Sequence, residues 1–225
     1  MKILHIETSS KNCSVAISDG EKLLCLCEEV SENYKQSESL HTFVEWALEG
    51  AEISLQELDA VSLGMGPGSY TGLRIGASSA KGFCYGLKIP LIAVNSLETM
   101  TEPFLNKDFD YIIPLLDARR MEVYTAVFDG KSGEMLSKTE AKVLDETSFQ
   151  EFTDKKVIFV GDGATKAKEI LQLPNAEYQA NVYPSAEYLV KKAVEKFNCK
   201  DFEDVAYFEP FYLKEFQGVK KKKTP

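Results

Sequence analysis

Histidine is nearly missing from this sequence, which holds only His5 and His41 in 225 residues. Two histidines so far apart cannot sit a turn apart on one helix, so a two-histidine iron or zinc site is excluded. The chain also lacks HExxH, GxSxG and the complete GxxxxGK[S/T] spacing of a P-loop, which removes zinc proteases, α/β-hydrolases and P-loop phosphotransferases. Positive charge is short as well: 26 Lys and Arg face 35 Asp and Glu, giving a net charge of −9. A protein that grips nucleic acid unaided needs the opposite balance, because phosphate neutralisation supplies most of that affinity. No apolar run approaches the roughly 20 residues of a membrane helix. The opening Met1-Lys2-Ile3-Leu4-His5-Ile6-Glu7 reaches a carboxylate too early for a signal-peptide core, so a cytoplasmic protein without a membrane partner is expected. Five cysteines, at 13, 25, 27, 84 and 199, are odd in number and scattered like reduced thiols. Cys25 and Cys27 would share one face of a strand, but no second Cys or His pair completes a tetrahedral metal site.

What is present reads as α/β. Apolar residues make up 44% of the chain, enough to build a sizeable core in one large domain or two small ones. Ile3–Ile6, Cys13–Ile17 and Leu23–Cys27 read as three strands of an antiparallel meander, with Asp19-Gly20 as a tight turn. Leu40, Phe43, Val44, Ala47 and Leu48 form the buried stripe of a helix from about Ser37 to Glu49. Trp46 lies about 120° from the middle of that stripe, either exposed on a second apolar surface or under a covering loop. Ser54 to Glu57 has capping-box spacing, and Ala60–Leu63 reads as a buried strand. The strand runs into Gly64-Met65-Gly66-Pro67-Gly68-Ser69, and a second helix follows from Tyr70 to about Tyr85. Strand, glycine loop and helix in that order can offer backbone amides to an anion. Inside the helix Gly72, Gly76 and Ala80 recur every four residues. Interior glycines cost roughly 1 kcal/mol each against alanine, which predicts a close-packing or interface role.

Pro90–Val94 is a further strand, and Pro103 with Asn106-Lys107-Asp108 marks a lobe boundary. The second half repeats the theme, with strands at Tyr111–Leu116, Glu122–Phe128 and Lys156–Val160. Asp117-Ala118-Arg119-Arg120 separates the first two, and Gly161-Asp162-Gly163 ends the third. A helix from Ala186 to about Phe197 carries Leu189, Val190 and Ala193 on one side. Two lobes that each start with strands and end with a helix suggest duplicated α/β units.

Four segments, in order over nearly the whole chain, resemble the TsaB (YeaZ-type) family. They are Ile3–Ser9 with Ser14–Ala16, Gly66–Gly76, Ile89-Pro90 with Val94–Glu98, and Asp117–Tyr124; the glycine-rich one is the most specific. Glu7 departs from the Asp usual in that family and its actin-like relatives. The resemblance implies the actin/Hsp70/sugar-kinase (ASKHA) fold of two RNase H-like lobes, here 1–103 for partner binding and 104–225 as a reduced lobe with a basic tail. It implies a non-catalytic subunit of the system that forms N6-threonylcarbamoyladenosine at position 37 of ANN-decoding tRNAs. TsaD is the partner, TsaE joins through the pair and tRNA is met through the complex; a homodimer of the chain alone is an open alternative use of the same surface. TsaD carries two metal-binding histidines where this chain has Ser96 and Met100.

Several site expectations follow. Leu40, Phe43, Trp46, Gly72, Gly76 and Ala80 are candidate partner contacts. Arg119 and Arg120 are candidate tRNA contacts, beside a Lys220–Lys223 tail that reads as a solvated charge run. No cofactor is required; a weakly bound ATP or ADP with Mg²⁺ would meet Glu7, Thr8, Ser9, Gly66 and Gly68. Two other readings compete: a weak actin-like ATPase or small-molecule kinase, with Gly161-Asp162-Gly163 near the adenosine, and a homodimeric interaction module.

Overall fold

A computed structural model describes residues 1–31 and 36–214; the Lys220–Lys223 tail lies outside them. Strands β1 (Lys2–Glu7), β2 (Asn12–Asp19) and β3 (Lys22–Val30) form the expected meander. Helix α1 (Gln36–Gly50) leads to a 3-10 turn at Leu55–Glu57, where the Ser54 amide donates to Glu57 Oε2 (2.9 Å). Strand β4 (Ala60–Gly64) then pairs parallel to β1, helix α2 (Tyr70–Leu87) crosses back, and β5 (Leu91–Val94) pairs parallel to β4. The first sheet has the order β3-β2-β1-β4-β5.

After a short α3 (Ser96–Thr99), β6 (Tyr111–Asp117) opens the second sheet. Strand β7 (Glu122–Thr125) pairs antiparallel to β6, and β8 (Phe128–Asp129) folds back on the start of β6. The single strand expected at Glu122–Phe128 is therefore two. Strand β9 (Glu140–Val143) pairs with β7, and β10 (Val157–Val160) lies parallel to β6. Helix α4 (Ala164–Ile170) and β11 (Ala176–Gln179), parallel to β10, complete the unit. Read from its meander edge, the order β9-β7-β6-β10-β11 repeats that of the first sheet. Two copies of this topology are the RNase H-like lobes of the ASKHA fold. The second lobe is reduced: no long helix stands between β9 and β10, where the first lobe has α1 between β3 and β4.

Apolar patterning explains the layers. Leu40, Val44 and Ala47 of α1 and Ala77, Ala80 and Cys84 of α2 bury against Leu4, Ile6, Val15 and Leu63 of the first sheet. The opposite face, with Ile3, Ala60 and Ile92, is covered by Leu189, Ala193 and Val194. Those last residues belong to a 3-10 turn at Ala186–Leu189 and helix α5 (Val190–Asn198). Helix α5, expected to close the second lobe, therefore packs on the first sheet. Past α5, Glu203 bridges to Leu91, Phe208 enters the core of the first lobe, and the Phe211 amide donates to Met65 O (2.8 Å). The amphipathic stripe of α5 was legible, but a stripe states that a face is buried, not which of two sheets buries it.

Candidate functional site

The Glu7–Ser10 and Gly64–Ser69 loops of the first lobe meet at the carboxyl ends of β1 and β4, where ligands bind in open α/β sheets. Here the protein fills the place with its own groups. Glu7 is fully buried; its Oε1 accepts from the Ser9 amide (2.7 Å) and its Oε2 from Ser96 Oγ (2.9 Å). The Thr8 hydroxyl donates to Gly72 O (2.9 Å). In the glycine loop the Gly66 amide donates to Ser96 Oγ (3.1 Å) and the Ser69 amide to Ser9 O (2.6 Å). A Cβ on Gly68 would overlap Ser9, and one on Gly64 would overlap the Glu7 carboxylate. The amides at Gly66 and Ser69 and both carboxylate oxygens of Glu7 thus each have a partner within the protein. The structure brings Glu7, Thr8, Ser9, Gly66 and Gly68, the residues expected around ATP or ADP, into one place, where they contact one another and Ser96. The Gly161-Asp162-Gly163 turn is closed in the same way: the Gly161 amide donates to Gln179 O (3.0 Å) and the Gly163 amide to Leu115 O (2.9 Å).

Burial raises the pKa of Glu7, against the opposing effect of donors from Ser9, Ser96 and the Thr8 backbone. A buried carboxyl with a raised pKa favours folding below the ordinary value of 4.5 and loses that contribution as pH rises through its folded value. Glu7→Gln should therefore unfold at a higher temperature than wild type at pH 8, with the gap closing towards pH 4.5. Thermal melts across that range check it; a gap that widens in acid would refute the assignment.

The helical surface differs from expectation. Leu40 and Ala80 are fully buried and Phe43 nearly so, all within the core of the first lobe. Gly72 and Gly76 face inward, where an added Cβ would overlap Thr8. The seam of small residues exists because α2 crosses β1 closely, and it offers a partner nothing. Trp46, by contrast, is 55% exposed and lies against Phe43 with ring centroids 5.7 Å apart, beside a groove lined by Glu29, Glu38, Ser39 and Thr42. A second row, missed from sequence, lies on the outer face of α2. Gly82 and Gly86 have open space before them, and Tyr85 between them is 83% exposed.

In the second lobe Arg119 and Arg120 form the tip of the β6–β7 hairpin, both exposed and both in the left-handed region, with φ of 70° and 53°. Lys166 Nζ reaches under the tip to Asp117 Oδ1 (2.7 Å), Arg120 O (3.0 Å) and Glu122 O (2.6 Å). Lys214, from the segment that follows Phe211, pairs with the Glu122 carboxylate. Neither lysine carried a signal in the sequence, since the contacts join residues far apart in the chain.

The remaining reactive groups are structural. His5 is buried, with Nδ1 3.0 Å from Ser62 Oγ and Nε2 2.8 Å from Ser18 Oγ. His41 Nε2 lies 3.3 Å from Ser79 Oγ between α1 and α2. All five cysteines are free, and burial pushes the Cys13 and Cys84 thiols up to about 12, so neither is a thiolate nucleophile near neutral pH. Among the described residues no three His, Cys, Asp or Glu side chains cluster as metal ligands, and no helix is long and apolar enough to cross a membrane.

A family model described as TsaD, tRNA N6-adenosine threonylcarbamoyltransferase, matches residues 28–207. The tRNA threonylcarbamoyladenosine biosynthesis protein TsaB of Bacillus subtilis (strain 168) is 30% identical over 76% of this chain and 76% of its own length. The protein of the same description from Buchnera aphidicola subsp. Schizaphis graminum is 30% identical over 84% of this chain and 90% of its own. Among solved structures, YeaZ from Pseudomonas aeruginosa superimposes with a TM-score of 0.78 at 25% identity, over 94% of this chain and 99% of that one. With one fold, one family model and relatives of one description across most of its length, the chain belongs to the TsaB family, within the wider group that the TsaD model describes.

Proposed function

We propose that this chain is a non-catalytic subunit in the formation of N6-threonylcarbamoyladenosine on tRNA, acting by binding a TsaD partner so that TsaE can join the pair. The observation that carries the reading is the engagement of Glu7, Gly66 and Ser69 by groups of the protein itself, in place of a ligand. The names of the relatives supply the pathway. Binding then falls to the outer surfaces of α1 and α2, where Trp46 and Tyr85 stand exposed. Large aromatics of this kind dominate interface energetics, and a flat helix face lets a second helix pack closely. The same surface serves a second copy of the chain when TsaD is absent.

The test is mass-spectrometric quantitation of threonylcarbamoyladenosine in tRNA from a reconstituted TsaD, TsaE and adenylate-synthase system, with and without this protein. The expected result is modification that needs the chain and survives Glu7→Ala; modification indifferent to the chain would end the proposal. On the interface, Trp46→Ala should weaken TsaD binding by about 2 kcal/mol, roughly 30-fold in Kd. Gly82→Leu should weaken it too while leaving the fold intact, because the space before Gly82 is open. Titration calorimetry with unchanged Kd for both variants would place the interface elsewhere.

A further inference from the structure

After α5 has covered the first sheet, the chain continues along the first lobe and then leaves it. Phe208 is buried in the first core, and Lys81 Nζ donates to Ala206 O (3.1 Å) and Phe208 O (3.1 Å) on either side of Tyr207. From this anchor the backbone runs past the glycine loop. The Phe211 amide donates to Met65 O (2.8 Å), and a Cβ on Gly66 would lie 3.2 Å from Phe211 O. The Tyr212 ring packs on Tyr70 at the start of α2, with centroids 4.9 Å apart, and the Arg74 guanidinium lies 5.3 Å from the Tyr70 centroid. Two residues later the chain reaches the second lobe, where Lys214 pairs with the Glu122 carboxylate and lies 5.9 Å from the Tyr124 ring, both on β7.

The covalent chain crosses between the lobes twice, once between β5 and β6 and once between β11 and the turn at Ala186–Leu189. Two crossings define an axis about which two lobes can turn, and a few residues at such crossings absorb the motion. The segment ending at Lys214 is a third tie, and its far end is not covalent. Its two ends are held very differently. Phe208 cannot leave without opening the first core. The far end rests on one ion pair, whose side chains are 33% and 23% exposed, a kind of contact that water and salt weaken. A segment anchored in a core at one end and lightly caught at the other opens locally, by loss of the catch alone.

We propose that residues 209–214 are a strap that latches the second lobe to the glycine-loop end of the first, with Lys214 on Glu122 as the catch. Closed, the strap lies on Met65, Gly66 and Tyr70 and blocks rotation about the two crossings, because its hold on β7 is a third point of attachment. Released, it leaves the lobes free to turn and takes a layer of contacts off the glycine loop. The device is reversible, since opening breaks an ion pair, an amide hydrogen bond and a ring contact and no covalent bond.

The test uses the full chain. Lys214→Glu sets two carboxylates against each other and should raise the rate of chymotrypsin cleavage after Phe211 or Tyr212 roughly 10-fold, because cleavage follows the population of the open strap. Glu122→Lys combined with Lys214→Glu rebuilds the pair in reverse and should return the rate to that of wild type, which damage to the local fold would not allow. Wild type in molar KCl should move in the same direction as Lys214→Glu. Energy transfer between a donor and an acceptor carried on non-natural side chains at Ser78 and Lys168, exposed on α2 and α4, reads the lobes directly. Its distribution should broaden in Lys214→Glu and narrow again in the swap. Tyr212→Ala, which loosens the strap from the first lobe instead, should broaden it too. An unchanged cleavage rate in Lys214→Glu, or a swap that fails to restore it, overturns the proposal. A strap that opens while the transfer distribution stays as in wild type also overturns it, since the segment would then be a docked chain end with no hold on the lobes.

Discussion

Gly72→Ala should destabilise the protein by about 3 kcal/mol or more, lowering Tm by roughly 6–12 °C for a chain of this size. The same substitution at Gly82 or Gly86, in the same helix, should raise stability by about 0.5–1 kcal/mol. The signs differ because the surroundings differ. Alanine is the better helix former at all three positions, but at Gly72 its Cβ would overlap the Thr8 carbonyl, whereas at Gly82 and Gly86 it meets nothing within 4 Å. The Thr8 backbone, held directly after β1, cannot swing aside as a flexible side-chain tip would, so the overlap must be relieved by moving α2. Differential scanning calorimetry of the three variants checks the pattern. A neutral Gly72→Ala would mean that α2 does not sit on β1 as described. The same geometry makes Gly76→Leu useless as a probe of partner binding, because it damages the fold before it reaches any interface.

The second large effect is in acid. Burial lowers the pKa of His5 from 6.5 to about 3, so between those values the unfolded chain binds a proton that the folded chain refuses. Stability from this residue is complete above pH 6.5 and is lost as pH falls, the loss levelling off near pH 3. The gap corresponds to roughly 5 kcal/mol, a large share of the 5–15 kcal/mol typical of a folded domain. Glu7 titrates in the opposite sense, losing stability as pH rises, and the two partly cancel between them. Urea melts at half-unit pH steps should show a steep acid limb in wild type that is flattened in His5→Leu. An equal slope in both would show that His5 protonates inside the folded protein. Because the readout is a slope and not an absolute stability, the hydrogen bonds that Ser18 and Ser62 lose in the variant do not confound it.

Much of this architecture was legible in local pattern. The period-two strands and the stripe at Leu40, Phe43, Val44 and Ala47 report burial through repeats only a few residues long, and the structure buries all four. The duplication was read from two runs of strands each ending in a helix, although the helix taken to end the second run packs on the first sheet. What escaped was anything decided by a distant neighbour. A row of small residues arises equally from a close partner and from a close strand of the same chain, and only the position of Thr8 shows that Gly72 and Gly76 belong to the second case. The partners of the Gly64–Ser69 loop escaped for the same reason: Ser96 and Ser9 accept from the Gly66 and Ser69 amides, and neither lies next to the loop in sequence. The arginine tip was visible as two residues, but Lys166 and Lys214, which give it its shape and its charge, were not.

The return of α5 and Phe208 to the first lobe sets an order of events during synthesis. Residues 1–94 contain all five strands of the first sheet, yet the Ile3, Ala60 and Ile92 face stays bare until Leu189 and Val194 leave the ribosome. At about 5–20 residues per second that delay is on the order of ten seconds. Throughout it the nascent chain carries an uncovered apolar sheet face, a target for a chaperone and a hazard for a truncated product. An expression fragment cut at the apparent lobe boundary would keep the Ile3, Ala60 and Ile92 face uncovered, because the residues that pack on it lie at 186–197.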